Sequence, residues 1–188
     1  MRRLILLAIV VITGLTGGVA AANGAWIYLK ARTAQYLIER AWRSHDFEAA
    51  PVAPWPWADT HVVARMRVPA LDIEQFVLAG AHGQSLAFGP GHLSGTPLPG
   101  HSGNSVIAGH RDTHFEFLRR LSPGDAIYFD FPQGRTVRYR VSDVWITLDT
   151  DMRPLEPRSD LRLTLITCYP FEALRAGGPL RFIVEAEA

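Results

Sequence analysis

Hydrophobic and polar positions divide the chain into three parts. From Leu4 to Leu29 (LILLAIVVITGLTGGVAAANGAWIYL) no residue is charged, a run longer than the roughly 20 residues a helix needs to cross a bilayer core. Arg2 and Arg3 precede it, Lys30 and Arg32 follow, and Trp26 and Tyr28 stand near its C-terminal end, where interfacial aromatics are expected. The competing reading is a cleaved signal peptide, with its apolar segment from Leu4 to Thr13 and the small residues Ala20, Ala21 and Ala22 at the cut. The apolar run continues past that point, which favours an uncleaved anchor over residues 1–29. Either reading exports the rest of the chain.

The second part, residues 30–58, begins as a helical stalk. Ala34, Leu37, Ile38 and Ala41 recur at helical steps among Arg32, Glu39, Arg40 and Arg43. The helical pattern extends to Ala50, where APVAPWPWAD follows. Pro51, Pro54 and Pro56 stop a helix and favour extended backbone. Trp55 and Trp57 are expected to pack this connector on the domain that follows.

From residue 59 to 188 the period changes. HVVARMRV alternates, and shorter apolar runs lie at IEQFVLA, SLAF and SVIAG. IYFDF leads through the turn PQG into TVRYRVSDVWITL, and LRLTLIT and LRFIVEAEA close the chain. Short strands rich in Val, Ile, Phe and Tyr, broken by Gly and Pro, predict an all-β barrel or sandwich. One short helix fits Phe115 to Leu121. Two long stretches resist a strand assignment, Gly89 to Asn104 and Thr147 to Asp160. Loops of that length in a compact domain are commonly functional. The second precedes the strand that carries the cysteine and is expected to wall the substrate site.

Composition narrows the function. The 188 residues are 48% hydrophobic and 20% charged, which fits a folded domain and excludes a disordered chain. Net charge is +1 and no dense basic block follows the N-terminus, so Arg119, Arg120, Arg138 and Arg140 read as a solvated face and no nucleic-acid partner is expected. The single cysteine, Cys168, permits no internal disulfide. A free cysteine is often a small core hydrophobe, but an exported lone thiol calls for a reason.

Cys168 ends the apolar strand LRLTLIT and is followed by Tyr169-Pro170, which breaks the ladder. His110 likewise ends the apolar run SVIAG. Two strand ends that each present a reactive side chain would build a nucleophilic pair on a rigid scaffold. An imidazolium beside a thiol favours the thiolate, the attacking species. A tetrahedral intermediate also needs a donor for its oxyanion, and an arginine, always protonated, can supply one. Arg181 opens the last strand after the turn AGGP, and Arg175 lies in the loop before it; residue patterns alone leave the two open. His114 follows His110 at a spacing that one helix face could turn into a metal pair, but no convergent third ligand is evident. No metal or cofactor is expected, and His45, His61, His82, His92 and His101 read as loop or surface residues.

IAGHRDTHF around His110 and TLITCYP around Cys168, followed by an arginine at the final strand, resemble the signature of the sortase family. FGPGHLSGTPLPGHSGNSVIAGH is similar to the region before that family's histidine, and the likeness covers about Thr60 to Ala186. PWPWAD, GHRDTHF and TCYPFEALRAGGPLR resemble the subgroup of Gram-negative bacteria. The resemblance implies a closed barrel of about eight strands with one or two short helices, after an N-terminal transmembrane helix and stalk. It implies cleavage of an LPXTG-like C-terminal sorting signal through a Cys168 thioester and transfer to an amine acceptor. His110 would be the proton partner and Arg181, immediately before FIVEA, the oxyanion donor; the loop AGGP departs from the family's usual asparagine or threonine. Thr167, Tyr169, Asp112 and Arg175 become candidates for substrate contact. A single span in the inner membrane, with the catalytic domain on the periplasmic side, would follow. The alternatives are an endopeptidase of the same fold that hydrolyses the thioester, and a non-catalytic anchored binding module with an inert cysteine.

Overall fold

The computed structural model describes residues 2–44, 51–132, 134–173, 175 and 177–188. Two compact units are present, Met1–Leu37 and Ile38–Ala188. Helix α1 (Arg2–Arg43) runs without interruption through the segments expected as anchor and stalk; the stalk's expected end over 45–50 lies outside the described residues. Among the described residues no helix is long and apolar enough to cross a membrane, a departure from the span expected over 1–29. From Val11 onward, Gly14, Gly17, Gly18, Gly24, Thr13, Thr16 and Asn23 dilute the apolar run. Leu6, Leu7, Ile9, Ile12 and Leu15 are nevertheless more than half exposed.

In the second unit eight strands close into a barrel: β1 (Val62–Val68), β2 (Ile73–Ala79), β3 (Gly91–His92), β4 (Gly103–Ala108), β5 (Ala126–Asp130), β6 (Thr136–Leu148), β7 (Leu161–Tyr169) and β8 (Leu180–Glu187). Their order around the barrel is β1-β2-β3-β4-β7-β8-β6-β5, with β2–β3 and β4–β7 parallel and the other pairs antiparallel. Alternation sets which side chains go in: Val62, Ala64, Met66 and Val68 of β1 are buried while their neighbours are not. Ala64, Met66 and Val68 meet Ile107, Ile127, Phe129, Tyr139, Leu163, Leu165 and Val184 in one core with Phe115, Phe117 and Leu118, while Val62 packs with Ile38 and Leu78. Each such large side chain contributes about 1.5–3 kcal/mol by leaving water.

Several local expectations are corrected. SLAF is helical, within α2 (Gly83–Phe88), not extended. The buried Ser85 hydroxyl donates to the carbonyls of Gly80 (2.7 Å) and His82 (2.6 Å), which curls the chain. Within the Gly- and Pro-rich stretch, β3 is a strand; a Cβ on Gly91 would sit 2.3 Å from the Gly80 carbonyl oxygen, so only glycine lets these backbones pair. His92 is buried rather than superficial, with Nε2 2.9 Å from the Pro97 carbonyl and 3.1 Å from Thr96 Oγ1, and burial lowers its pKa. The short helix near Phe115 is a 3-10 turn, Glu116–Arg120, that buries Phe117 and Leu118. Trp55 packs edge-on against Phe88 (centroids 5.1 Å apart), as the connector required, but Trp57 is 79% exposed. His45 lies outside the described residues.

Candidate active site at the end of β4 and β7

β4 and β7 run parallel and in register from Gly103 opposite Leu161 to Ala108 opposite Ile166. The association continues beyond β4: the Gly109 N–H donates to the Ile166 carbonyl (3.1 Å), and the Thr167 hydroxyl donates to the Gly109 carbonyl (2.7 Å). Residue 110 therefore leaves the barrel beside residue 168. A Cβ on Gly109 would lie 2.7 Å from the buried ring of Phe115, so the turn into His110 passes over that ring with no room for a side chain. His110 is exposed, and its carbonyl accepts from the Phe115 N–H at 2.9 Å, closing the turn.

Cys168 is the Cα partner of Arg181 across the antiparallel β7–β8 pair. Directly opposed residues share a face. Leu163, Leu165 and Thr167 are buried, so Ile166 and Cys168 face outward. The thiol is half-buried. The Arg181 guanidinium donates to the carbonyls of Gly178 (2.7 Å) and Leu180 (2.9 Å) and reaches Asp149 at 3.4 Å. Imidazole, thiol and guanidinium thus come from three neighbouring strand ends.

A cavity of about 170 Å³ opens beside them, lined by Thr147, Leu148, Asp149, Asp151, Met152, Pro154, Leu155, Ile166, Arg181 and Ile183. Its floor is the outer face of β8 and β7, and its wall is the segment after β6, where the long polar loop was expected to stand. Asp151 holds that wall: it accepts from Arg153 (2.7 Å) and from the Thr147 hydroxyl, and these donors keep its carboxyl well below the usual range. A larger cavity of about 600 Å³ lies against β1 and β5, lined by Trp42, Arg43, Arg65, Arg67, Asp130, Phe131, Pro132, Gly134 and Thr136. Neither lining includes Cys168 or His110, but the smaller cavity is bordered by Arg181 and by Ile166, two residues before the cysteine on β7.

The other candidates fall out differently. Thr167 is 2% exposed and its hydroxyl is engaged by Gly109; it ties the histidine strand to the cysteine strand and does not face a substrate, a correction to the expected contact. Tyr169 stacks on Phe182 (centroids 6.3 Å apart) and packs edge-on against Phe171, so its ring belongs to that aromatic cluster. Asp112 is exposed in the turn after His110, and Arg175 is exposed in the β7–β8 loop. Register separates the two arginines: Arg181 is opposite Cys168 and Arg175 is not. His114 is drawn in by packing. Burial lowers its pKa, against a hydrogen bond to the Ala87 carbonyl, and Gln75 Nε2 donates to the His114 main-chain carbonyl at 2.9 Å. Among the described residues no group of three His, Cys, Asp or Glu side chains could hold a metal ion.

Arg111 was missed from sequence. It follows His110, is buried, and donates to the carbonyls of Ala173 (2.9 Å), Gly177 (3.3 Å) and Arg175. Its place beside the histidine was visible, but no periodicity marks an arginine that turns inward.

Comparison with known proteins bears on the family and the fold. Residues 66–188 match the model of the sortase domain. Sortase D of Bacillus subtilis is 28% identical over 123 residues, 63% of this chain and 60% of that protein; the chain thus spans about three fifths of that relative. The crystal structure of sortase C-1 from Actinomyces oris aligns with TM-score 0.61 at 26% identity, over 83% of this chain and 97% of the other. A Clostridium perfringens sortase D5 transpeptidase aligns with TM-score 0.67 over 83% and 98%, at 21% identity, a likeness of fold alone. These relatives are Gram-positive proteins, and they lend nothing to the narrower Gram-negative resemblance.

Proposed function

This chain belongs to the sortase family, and from that premise we propose that it is a cysteine transpeptidase whose nucleophile is Cys168, whose proton partner is His110 and whose oxyanion donor is Arg181. The observation that supports the reading is the register that starts these three residues from neighbouring strand ends: β4 and β7 run in register toward 110 and 168, and Arg181 is the cross-strand partner of Cys168.

The chemistry follows from the positions. The Cys168 sulfur, as thiolate, attacks the scissile carbonyl of a sorting signal, and the electron pair moves onto the oxygen. Arg181 stabilises that oxyanion. The C–N bond breaks, and His110 gives its proton to the departing amine. A thioester is left on Cys168. An acceptor amine then attacks it, loses a proton to His110 and expels the thiolate. The lining of the small cavity, apolar Ile166, Ile183, Met152 and Leu155 together with Asp149, suits an extended peptide with apolar residues a few positions before the scissile bond, as the Leu and Pro of an LPXTG-like signal are.

The N-terminal anchor, in an inner membrane with the barrel on the periplasmic side, is part of the proposal. Its support is the uncharged run Leu4 to Leu29, basic residues on either flank and exposed Leu6, Leu7, Ile9, Ile12 and Leu15. Alkaline extraction of membranes would keep the chain in the pellet; release into the supernatant would remove the anchor. For the activity, the protein is incubated with LPXTG-like peptides with and without an amine, and products are weighed by mass spectrometry. A peptidyl adduct on Cys168 and an amine-dependent transfer product are expected. Hydrolysis that an amine does not divert would make it an endopeptidase, and a thiol inert to alkylating reagents would leave only a binding module.

A further inference from the structure

His110 is gripped from both sides by the chain that carries Cys168. The residue before it, Gly109, accepts from the Thr167 hydroxyl at 2.7 Å, one position ahead of the cysteine. The residue after it, Arg111, donates to the carbonyls of Ala173, Arg175 and Gly177 in the loop that leads from Cys168 to Arg181. Arg111 is only 6% exposed, and its acceptors are main-chain carbonyls of alternate residues in one loop. A buried guanidinium needs all its donors answered. Its planar fork can meet three carbonyls at fixed angles, which an ammonium on a flexible stem cannot.

We propose that Arg111 is a positioning residue that locks the imidazole of His110 against the thiol of Cys168 by fastening the histidine turn to the β7–β8 loop. The inference rests on the transpeptidase reading of the site. Without the clamp, the turn from 110 to 115 and the loop between Cys168 and Arg181 are no longer fixed to each other. The imidazole then samples positions from which it cannot hold the thiolate. A misplacement of about 1 Å in such a pair can cost about a hundredfold in rate.

The test uses the full chain with Arg111→Gln, Arg111→Lys and His110→Ala. The rate of Cys168 alkylation by iodoacetamide is followed across pH, and kcat and KM are measured for transfer from a sorting peptide to an amine. The expected result is that both Arg111 variants move the alkylation profile toward that of His110→Ala. Their kcat is expected to fall about ten- to a hundredfold with KM changed far less, and lysine to recover only part of the loss. If the glutamine variant does not fold, the lysine variant, which keeps the charge, decides. Variant profiles that superimpose on the wild type, with kcat within about twofold, would overturn the proposal even if the melting temperature drops. Superimposed wild-type and His110→Ala profiles would overturn it as well. Alkylation needs no peptide, so a wild type that transfers nothing would sink the transpeptidase reading and still leave the role of Arg111 decided.

Discussion

Cys168 and Arg181 face each other as direct partners across β7 and β8, so the proposed nucleophile and the proposed oxyanion donor are placed by strand register and not by a loop. Backbone pairing holds their spacing, while the guanidinium is turned by the carbonyls of Gly178 and Leu180 and by Asp149.

Arg181→Ala should lower kcat by about 10²–10³, the usual cost of removing one oxyanion donor, with peptide KM changed far less. Arg181→Lys should recover only part of this, because an ammonium cannot reproduce the fork. The measurement is steady-state transfer with a sorting peptide. A loss confined to KM would make Arg181 a substrate anchor instead.

Activity against pH should be bell-shaped. Its two limbs report the thiol and imidazole as a coupled pair, not either group alone. A rate still climbing at about pH 10 would exclude the acid role of His110. His114 lies near His110, but burial lowers its pKa. It is therefore neutral wherever the enzyme works near neutral pH, and His114→Gln should leave the limbs where they are.

Long strands were legible because alternation is a local signal. TVRYRVSDVWITL is β6 from end to end, LRLTLIT lies in β7, which continues through Cys168 to Tyr169, and LRFIVEAEA is β8 but for its last residue. What was hidden depends on distant partners. Two residues cannot show a period, so β3 exists only because Gly91 can pass close to Gly80. SLAF is helical because of the hydrogen bonds of Ser85. The identity of Cys168 and His110 as chemistry-bearing residues could be read from their strand-end positions; their juxtaposition needed the parallel β4–β7 register. Thr167 and Arg111, which enforce it, look like ordinary polar residues until their partners across the fold are known.

Gly109→Ala should damage the site more than its size suggests. The added methyl would stand 2.7 Å from the Phe115 ring, and that ring is fully buried in the core, so the turn into His110 must move. Overpacking of this kind costs about 1–3 kcal/mol. Thermal melts should show that loss together with a fall in transfer rate. A second change, Phe115→Leu, should restore part of the rate by making room.

Acid stability should depend on Asp130. Its carboxyl accepts from Arg67 (2.6 and 2.8 Å), Thr136 (2.8 Å) and Arg65 (3.0 Å), and these bonds, that from Arg67 above all, hold its pKa at about 2. A carboxylate depressed in the folded state stabilises fully above its unfolded pKa, near 3.8, and that contribution drains away as pH falls toward 2. Partial solvent contact keeps it to about 1–2 kcal/mol. Asp130→Asn should be less stable at neutral pH and lose less than the wild type between pH 4 and pH 2. Equal slopes in urea melts across that window would remove Asp130 as the cause.

Water is the competitor of the acceptor amine, so the wall formed by Thr147 to Asp160 should decide between transfer and hydrolysis. Pro154 is buried and its carbonyl takes the Asn104 side-chain N–H at 2.9 Å, while Asp151 gathers Arg153 and Thr147. The wall is therefore pinned at both its base and its turn, next to Arg181. Asp151→Ala frees the turn without touching the barrel core, and should raise hydrolysis relative to transfer severalfold at fixed amine while the acylation rate holds. Shortening the segment between Met152 and Arg158 should push the ratio the same way and further. Product ratios from mass spectrometry that match the wild type in both variants would mean that the thioester is shielded from water by something other than this wall.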